Sequence, residues 1–196
     1  MKKTIKMLGL LLVAAAMFAG CKNAPAETSS KKDGLFSAGD TTIDMASGDF
    51  QNINLADGTW SYKSVREATN NGGSLTIKEI TFTKSGSTKT ITKGSQYEEE
   101  KIPAGMTLTD EQKNAYAAQG YTFDGDRYTF SHNWTASEIT TAQGRLDSRY
   151  LNNFNYKPTN GVTKRNADNT KFYTSDSGNA SDGNGTYKTT EWLKKN

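Results

Sequence analysis

The sequence predicts a mainly β domain, an antiparallel barrel or sandwich carrying one short accessory helix at about residues 109–119. Three observations lead there. Tyr128, Phe130, His132 and Trp134 alternate with Thr129, Ser131, Asn133 and Thr135, the period of two that sends successive side chains to opposite faces of a strand. Trp60 and Tyr62 alternate in the same way, and turn clusters such as Asn70-Asn71-Gly72-Gly73 and Lys84-Ser85-Gly86-Ser87 punctuate the chain. One stretch opens a convincing helix. Thr109 stands as N-cap, Asp110 and Glu111 follow at the positive end of the dipole, and Gln112 lies three residues after the cap.

Taken in order, the domain opens at Asp57-Gly58 with the strand of Trp60 and Tyr62. Leu75 and Ile77 share one parity, whereas Ile80 and Phe82 share the other; a β-bulge near Lys78-Glu79 would bring all four to one face. Residues 88–93 return as a short strand with Ile91 as its one core candidate. Glu98-Glu99-Glu100 reads as a charged loop or an edge strand, where charge discourages pairing with other chains. The helix continues through Ala115, Tyr116, Ala117 and Ala118, and Gly120 can close it. Residues 138–156 fit helix and strand equally, and residues 157–169 form a polar excursion. Phe172-Tyr173-Thr174 and residues 186–193 make a last hairpin around the loop 176–185.

The chain starts differently. Lys2, Lys3 and Lys6 form a basic start, and residues 7–20 are fourteen positions without a charge. A bilayer core needs about 20 apolar residues in a helix, so this run is too short for a permanent span. A basic start, an apolar middle and small residues at the end make a secretory signal. The run ends Phe18-Ala19-Gly20-Cys21. These four residues resemble the lipobox of bacterial lipoproteins, with Phe18 in place of the usual Leu as in the looser lipoboxes of spirochaetes. The resemblance covers residues 1–21. It implies cleavage before Cys21, acylation of that cysteine, and anchoring in the cell envelope, with the outer membrane (periplasmic or surface face) as the expected site. One acyl chain gives only marginal membrane binding; the two or three that the resemblance implies would make attachment effectively permanent.

The expected organisation is therefore a signal peptide at 1–20, a lipidated tether at 21–34, an irregular lead-in at 35–56 and one β-rich domain at 57–196. Cleavage takes away three of the 24 basic residues, and the 21 that remain equal the 21 acidic ones. A neutral chain with interspersed charge gives no footprint for a nucleic-acid partner. Cys21 is the only cysteine, so lipidation leaves no thiol for a disulfide. Leu, Ile, Val and Phe number only 23 among the 176 residues from Cys21 onward; nine Tyr and three Trp must build much of the core.

Asp57-Gly58-Thr59-Trp60, Gly125-Asp126-Arg127-Tyr128 and Asn184-Gly185-Thr186-Tyr187 each place a turn glycine before a strand aromatic. Gly58 and Trp60 resemble the Gly-x-Trp that opens the first strand of lipocalins and related barrels. That resemblance implies a cup for a small apolar ligand, lined by Trp60, Tyr62, Tyr128, Phe130, His132 and Trp134. The other reading is an interaction or envelope-structural lipoprotein without a pocket, meeting an envelope or host protein through its Asn/Gly/Ser/Thr loops. His132 is the only histidine, and no nucleophile stands in legible register with it, so no catalytic residue and no enzymatic activity is expected. In the loop 176–185, aligning Gly185 with a calcium-loop glycine puts Ala180 where the first ligand should be, and alanine cannot coordinate. No phosphate loop or zinc spacing occurs, so no metal or cofactor is expected.

Overall fold

A computed structural model describes residues 42–44, 53–69, 72–180 and 185–196. The signal segment, Cys21 and the tether lie outside the described residues. No described helix is long and apolar enough to cross a membrane.

Among the described residues nine strands form one sheet: β1 (Thr42–Asp44), β2 (Gly58–Ala68), β3 (Ser74–Ser85), β4 (Thr88–Lys101), β5 (Thr122–Asp124), β6 (Arg127–Asn133), β7 (Val162–Asn166), β8 (Lys171–Asn179) and β9 (Thr186–Lys195). Their order is β1-β7-β8-β9-β2-β3-β4-β6-β5, and every neighbouring pair is antiparallel. The mainly β, antiparallel expectation holds. The barrel does not: β1 and β5 stand at opposite ends without pairing, so the sheet stays open. Its covered face lies under helical segments instead of a second sheet. These are α1 (Asp110–Ala118), α2 (Ala136–Gln143), a π-helix at Leu146–Leu151 and a 3-10 turn at Asn152–Asn155.

α1 is the expected accessory helix, and its capping box is present: Gln112 N–H donates to Thr109 Oγ1, and Thr109 N–H donates to Gln112 Oε1. α2 and the π-helix resolve the stretch that fitted both periodicities. A second capping box starts α2, with Thr135 as N-cap and Glu138 three residues on. The box meets two backbone donors at the helix start, the N–H groups of Thr135 and Glu138.

Residue parity explains both faces. Register between β2 and β3 runs unbroken from Gly58 opposite Lys84 to Ala68 opposite Ser74. The bulge expected at Lys78-Glu79 is therefore absent, and the two parities of β3 serve opposite faces. Ile80 and Phe82 join Trp60, Tyr62, Ile91, Phe172 and Leu193 on the covered face, against Leu55, Leu146, Leu151 and Phe154. Ile77, with Leu75 beside it, joins Val65, Tyr97 and Trp192 on the other face. The bulge lies in β4, where Thr81 pairs with Lys93 but Phe82 pairs with Ile91, leaving Thr92 as the extra residue. Beyond Thr92 the alternation of β4 is shifted by one, which turns Gly94, Gln96 and Glu98 to the covered face.

β4 also runs further than expected. Glu98-Glu99-Glu100 is neither loop nor edge: it lies between β3 and β6. Its carboxylates are met by hydroxyls, the Gln96 amide and one guanidinium. Tyr121 OH donates to Glu98 at 3.1 Å, Tyr97 OH to Glu99 at 2.9 Å, Tyr128 OH to Glu100, and Arg127 pairs with Glu99 at 2.8 Å. At the other end of β4, where β6 no longer reaches, the Gln143 amide takes over the edge. Ile91 N–H donates to Gln143 Oε1 (2.7 Å), and Gln143 Nε2 donates to Lys89 O (2.8 Å). Such substitution matters because an unmet buried backbone group costs as much as a lost hydrogen bond.

Two further expectations change, and a third is met. The irregular lead-in supplies β1, and its Ile53 N–H donates to Asn155 Oδ1 at 2.7 Å. The polar excursion at 157–169 contains β7, whose Thr163 is fully buried and bonds Thr174 Oγ1 at 3.0 Å. The last hairpin forms as β8 and β9, with Phe172 opposite Leu193.

Candidate functional site

The six aromatic and imidazole side chains expected around one cup are not brought together. Trp60 has no exposed surface and lies in the main core, with its indole N–H donating to Ala56 O at 3.0 Å. Tyr62 is buried beside it and meets Tyr150 edge-on at 5.5 Å. Tyr128 and Phe130 lie three strands away on β6, in a separate cluster built by α1. There Tyr116 stacks over Tyr128 at 5.2 Å and Tyr121 over Phe130 at 5.1 Å. His132 is buried against Phe130, and its Nε2 lies 2.9 Å from Glu138 Oε1. Trp134 lies between the groups, half-buried on the main core. Of the six, Tyr62 lines the cavity that the structure shows on this face.

That cavity is a basin of about 580 Å³ on the covered face, beyond the edge of the main core. Its origin is visible strand by strand. On this face the central strands pass from an apolar row to polar rows. One row across the sheet reads Phe172, Leu193, Tyr62, Ile80; the next reads Thr174, Glu191, Ser64, Lys78; the one after reads Asp176, Thr189, Arg66, Thr76, Glu98. The first row is core, and the second and third are the floor of the basin. Arg149 and Tyr150 of the π-helix, Asn153 of the 3-10 turn, and Tyr156 and Pro158 wall one side. A π-helix inserts an extra residue per turn, which offers a reason for Tyr150 to pack on Tyr62 while Arg149 stays exposed over the basin.

Glu191 anchors the floor. It is 6 % exposed, accepts from Tyr62 OH at 2.5 Å and from Asn153 Nδ2 at 2.7 Å. Burial pushes its carboxyl pKa above the ordinary value, and these two bonds only partly oppose that. Burial and the neighbouring Glu191 carboxylate push the Tyr62 phenol well up, so Tyr62 remains a donor. The other two acids of the basin also have neutral donors. Glu98 takes the Tyr121 hydroxyl and the Gln96 amide, and Asp176 takes Tyr187 OH at 3.3 Å.

The cations are treated differently. Arg66 lies over the Tyr187 ring, 4.8 Å from its centroid. Lys78 is half-buried, and burial, then Arg149, lowers its pKa while Glu98 opposes. Among the described residues, none of Arg66, Lys78 and Arg149 makes an ion pair within 4.0 Å. The described residues contain no cluster of His, Cys, Asp and Glu suited to a metal ion.

Parity alone could have pointed to Ser64, Arg66, Thr76 and Lys78, since they continue the faces of Trp60, Tyr62, Ile80 and Phe82. Arg149, Asn153 and Tyr156 had no such signal, because their placement depends on the irregular helical turns after α2.

Comparison with family models, with curated proteins and with solved structures finds no match.

Proposed function

We propose that this chain is a lipid-anchored lipoprotein of the bacterial cell envelope whose sheet domain holds a small polar ligand in the basin and does not transform it. The anchoring half rests on the lipobox residues Phe18-Ala19-Gly20-Cys21. The binding half rests on one observation above all: a basin of about 580 Å³, within the roughly 300–1,000 Å³ usual for small-molecule sites, whose three cations have no ion-pair partner among the described residues while its three acids are hydrogen-bonded. The lining favours a polar ligand over the small apolar one that a lipocalin-like cup implied, because Ser64, Thr76, Arg66 and Lys78 stand where such a cup would need apolar side chains.

Two measurements test this. Cells making the full chain and fed labelled palmitate are expected to label it, and Cys21→Ser is expected to abolish the label and release the protein from membranes. The mature lipoprotein in detergent micelles is expected to bind small polar compounds, with loss of binding in Ser64→Trp, which fills the floor. Binding of fatty acids in preference to polar compounds, or polar binding untouched by Ser64→Trp, would sink the basin reading in favour of contacts made by the loops.

A further inference from the structure

Resting on the basin as a ligand site, we propose that its ligand is a sugar acid: a hydroxylated ring carrying a single carboxylate, with the carboxylate held by Arg66, Lys78 and Arg149 and the ring hydroxyls facing Glu191 and Asn153.

The charge pattern demands a negative group. Arg66, Lys78 and Arg149 face Glu98, Asp176 and Glu191 across one basin, so the lining is balanced overall. A balanced lining normally closes into salt bridges. Here the acids bond to Tyr62, Asn153, Tyr121, Gln96 and Tyr187, all neutral donors. The cations therefore keep their capacity for a counter-charge. Arg66 and Lys78 are diagonal neighbours on β2 and β3, since Ser64 pairs with Lys78 and Arg66 with Thr76. Diagonal neighbours stand about 7–8 Å apart at the backbone, close enough for both side chains to reach one anion. Arg149 approaches from the wall, and its repulsion contributes to the lowered pKa of Lys78. A bound carboxylate relieves that repulsion and makes charge-assisted hydrogen bonds, which are about twice as strong as neutral ones.

The same pattern argues against a polyanion. Three carboxylates share the basin, and each extra negative charge on a ligand meets them at short range. A single carboxylate fits the three cations without that cost.

The remainder of the lining fits a hydroxylated ring. Ser64, Thr76 and Thr189 offer hydroxyls on the floor, and Glu191 and Asn153 offer acceptor and donor together. Tyr156 stands at the rim, 37 % exposed, one of two large hydrophobic side chains with that much exposure among the described residues. Its hydroxyl is tied to Asn153 Oδ1 at 3.2 Å, so the ring is held in place although water reaches it. The negative face of a fixed aromatic ring suits the polarised C–H face of a sugar.

Isothermal titration of the mature lipoprotein in micelles tests the proposal with five probes: D-galacturonate, D-glucuronate, neutral D-galactose, acetate and inorganic phosphate. Galacturonate or its epimer glucuronate is expected to bind at least about tenfold more tightly than the neutral sugar, acetate or phosphate. Arg149→Gln and Lys78→Gln are each expected to bring the ratio of uronate to neutral-sugar affinity towards one, with melting temperature showing that both variants fold. Lys78 is expected to lose reactivity towards amine-acylating reagents when uronate is bound. Neutral sugar bound as tightly as the uronates would overturn the acid assignment and leave the basin reading standing. Phosphate or acetate bound as tightly as the uronates would overturn the sugar assignment. If neither uronates, neutral sugar nor the simple anions bind, the proposal and the basin reading fall together.

Discussion

Gly94 lies directly beneath the indole of Trp134. A Cβ at position 94 would fall 2.0 Å from Trp134 Cε3, and Trp134 N–H donates to Gly94 O at 2.8 Å. The missing side chain makes room for a tryptophan on the covered face between the main core and His132. Gly94 itself stands opposite Ile80, at the edge of the apolar row. Gly94→Ala is expected to destabilise the fold by about 1–3 kcal/mol, the usual range for overpacking a filled site. In a Trp134→Ala background the same substitution should cost far less. Urea denaturation of the four proteins measures the coupling, and independent costs would contradict the contact.

Trp60 and Phe82 pair across β2 and β3 with no exposed surface on either. Trp60→Ala or Phe82→Ala is expected to cost about 3–5 kcal/mol. With so few aliphatic residues elsewhere and a single cysteine in the sequence, so no disulfide within the chain, a loss of that size should unfold much of the protein at growth temperature. Circular dichroism melting reads it directly. A melting temperature close to wild type for either variant would mean that the main core lies elsewhere.

The second capping box gives a smaller effect. Thr135→Ala removes the hydroxyl that accepts from Glu138 N–H and is expected to cost about 1 kcal/mol. Glu138 also bonds His132 Nε2, so the cap ties α2 to β6. Hydrogen exchange of the α2 amides should rise in the variant while that of β8 and β9 stays as it was.

Glu191 and Glu138 predict opposite pH slopes. In the fold Glu191 keeps its proton above its ordinary pKa of 4.5, because burial opposes the charged form. The folded protein thus binds more protons than the unfolded chain between 4.5 and the raised value. That contribution is fully present below 4.5 and is lost as pH rises through the folded value. Glu138 behaves the other way. Burial would raise its pKa, but the Thr135 bonds and His132 outweigh burial and hold it below 4.5. Its contribution is present above 4.5 and is lost as pH falls through the lowered value. Urea denaturation across a pH series should show Glu191→Gln flattening the decline above 4.5 and Glu138→Gln flattening the decline below it. A Glu191→Gln profile parallel to wild type would mean that the carboxyl is better solvated than its burial implies.

Much of the fold was legible where one residue pattern had one meaning. The alternation at residues 128–134 gave β6, the Thr109–Gln112 cap gave α1, and Phe172 with Leu193 gave the last hairpin. On β3 both parities are buried, each on its own face. Leu75 and Ile77 against Ile80 and Phe82 looked like a broken register when only one face was assumed to be buried. Both faces bury residues, so no correction was needed there. Glu98-Glu99-Glu100 misled for a similar reason: a run of acids reads as solvated unless the chain supplies partners from afar, and Tyr121, Tyr128 and Arg127 do so. The site was legible in half. Residue alternation carries Ser64, Arg66, Thr76 and Lys78 onto the face of Trp60, but the expected cup of Tyr128, Phe130, His132 and Trp134 fell into other clusters.

The sequence by itself determined what depends on neighbours along the chain. Alternation, turn glycines and cap residues settle which stretches become strands and helices, because those preferences act over a few residues. The expectation of a lipid on Cys21 is equally local, a matter of the residues beside it. Only the tertiary structure decided whether the sheet closes, which face each parity serves, and where the basin lies. Those depend on the order β1-β7-β8-β9-β2-β3-β4-β6-β5 and on a helical wall packed over one side of it. Arg66 and Arg149 are 83 positions apart in the chain, yet both line one cavity. Burial and charge act through space, so a polar row becomes a binding site only after folding has set its partners around it.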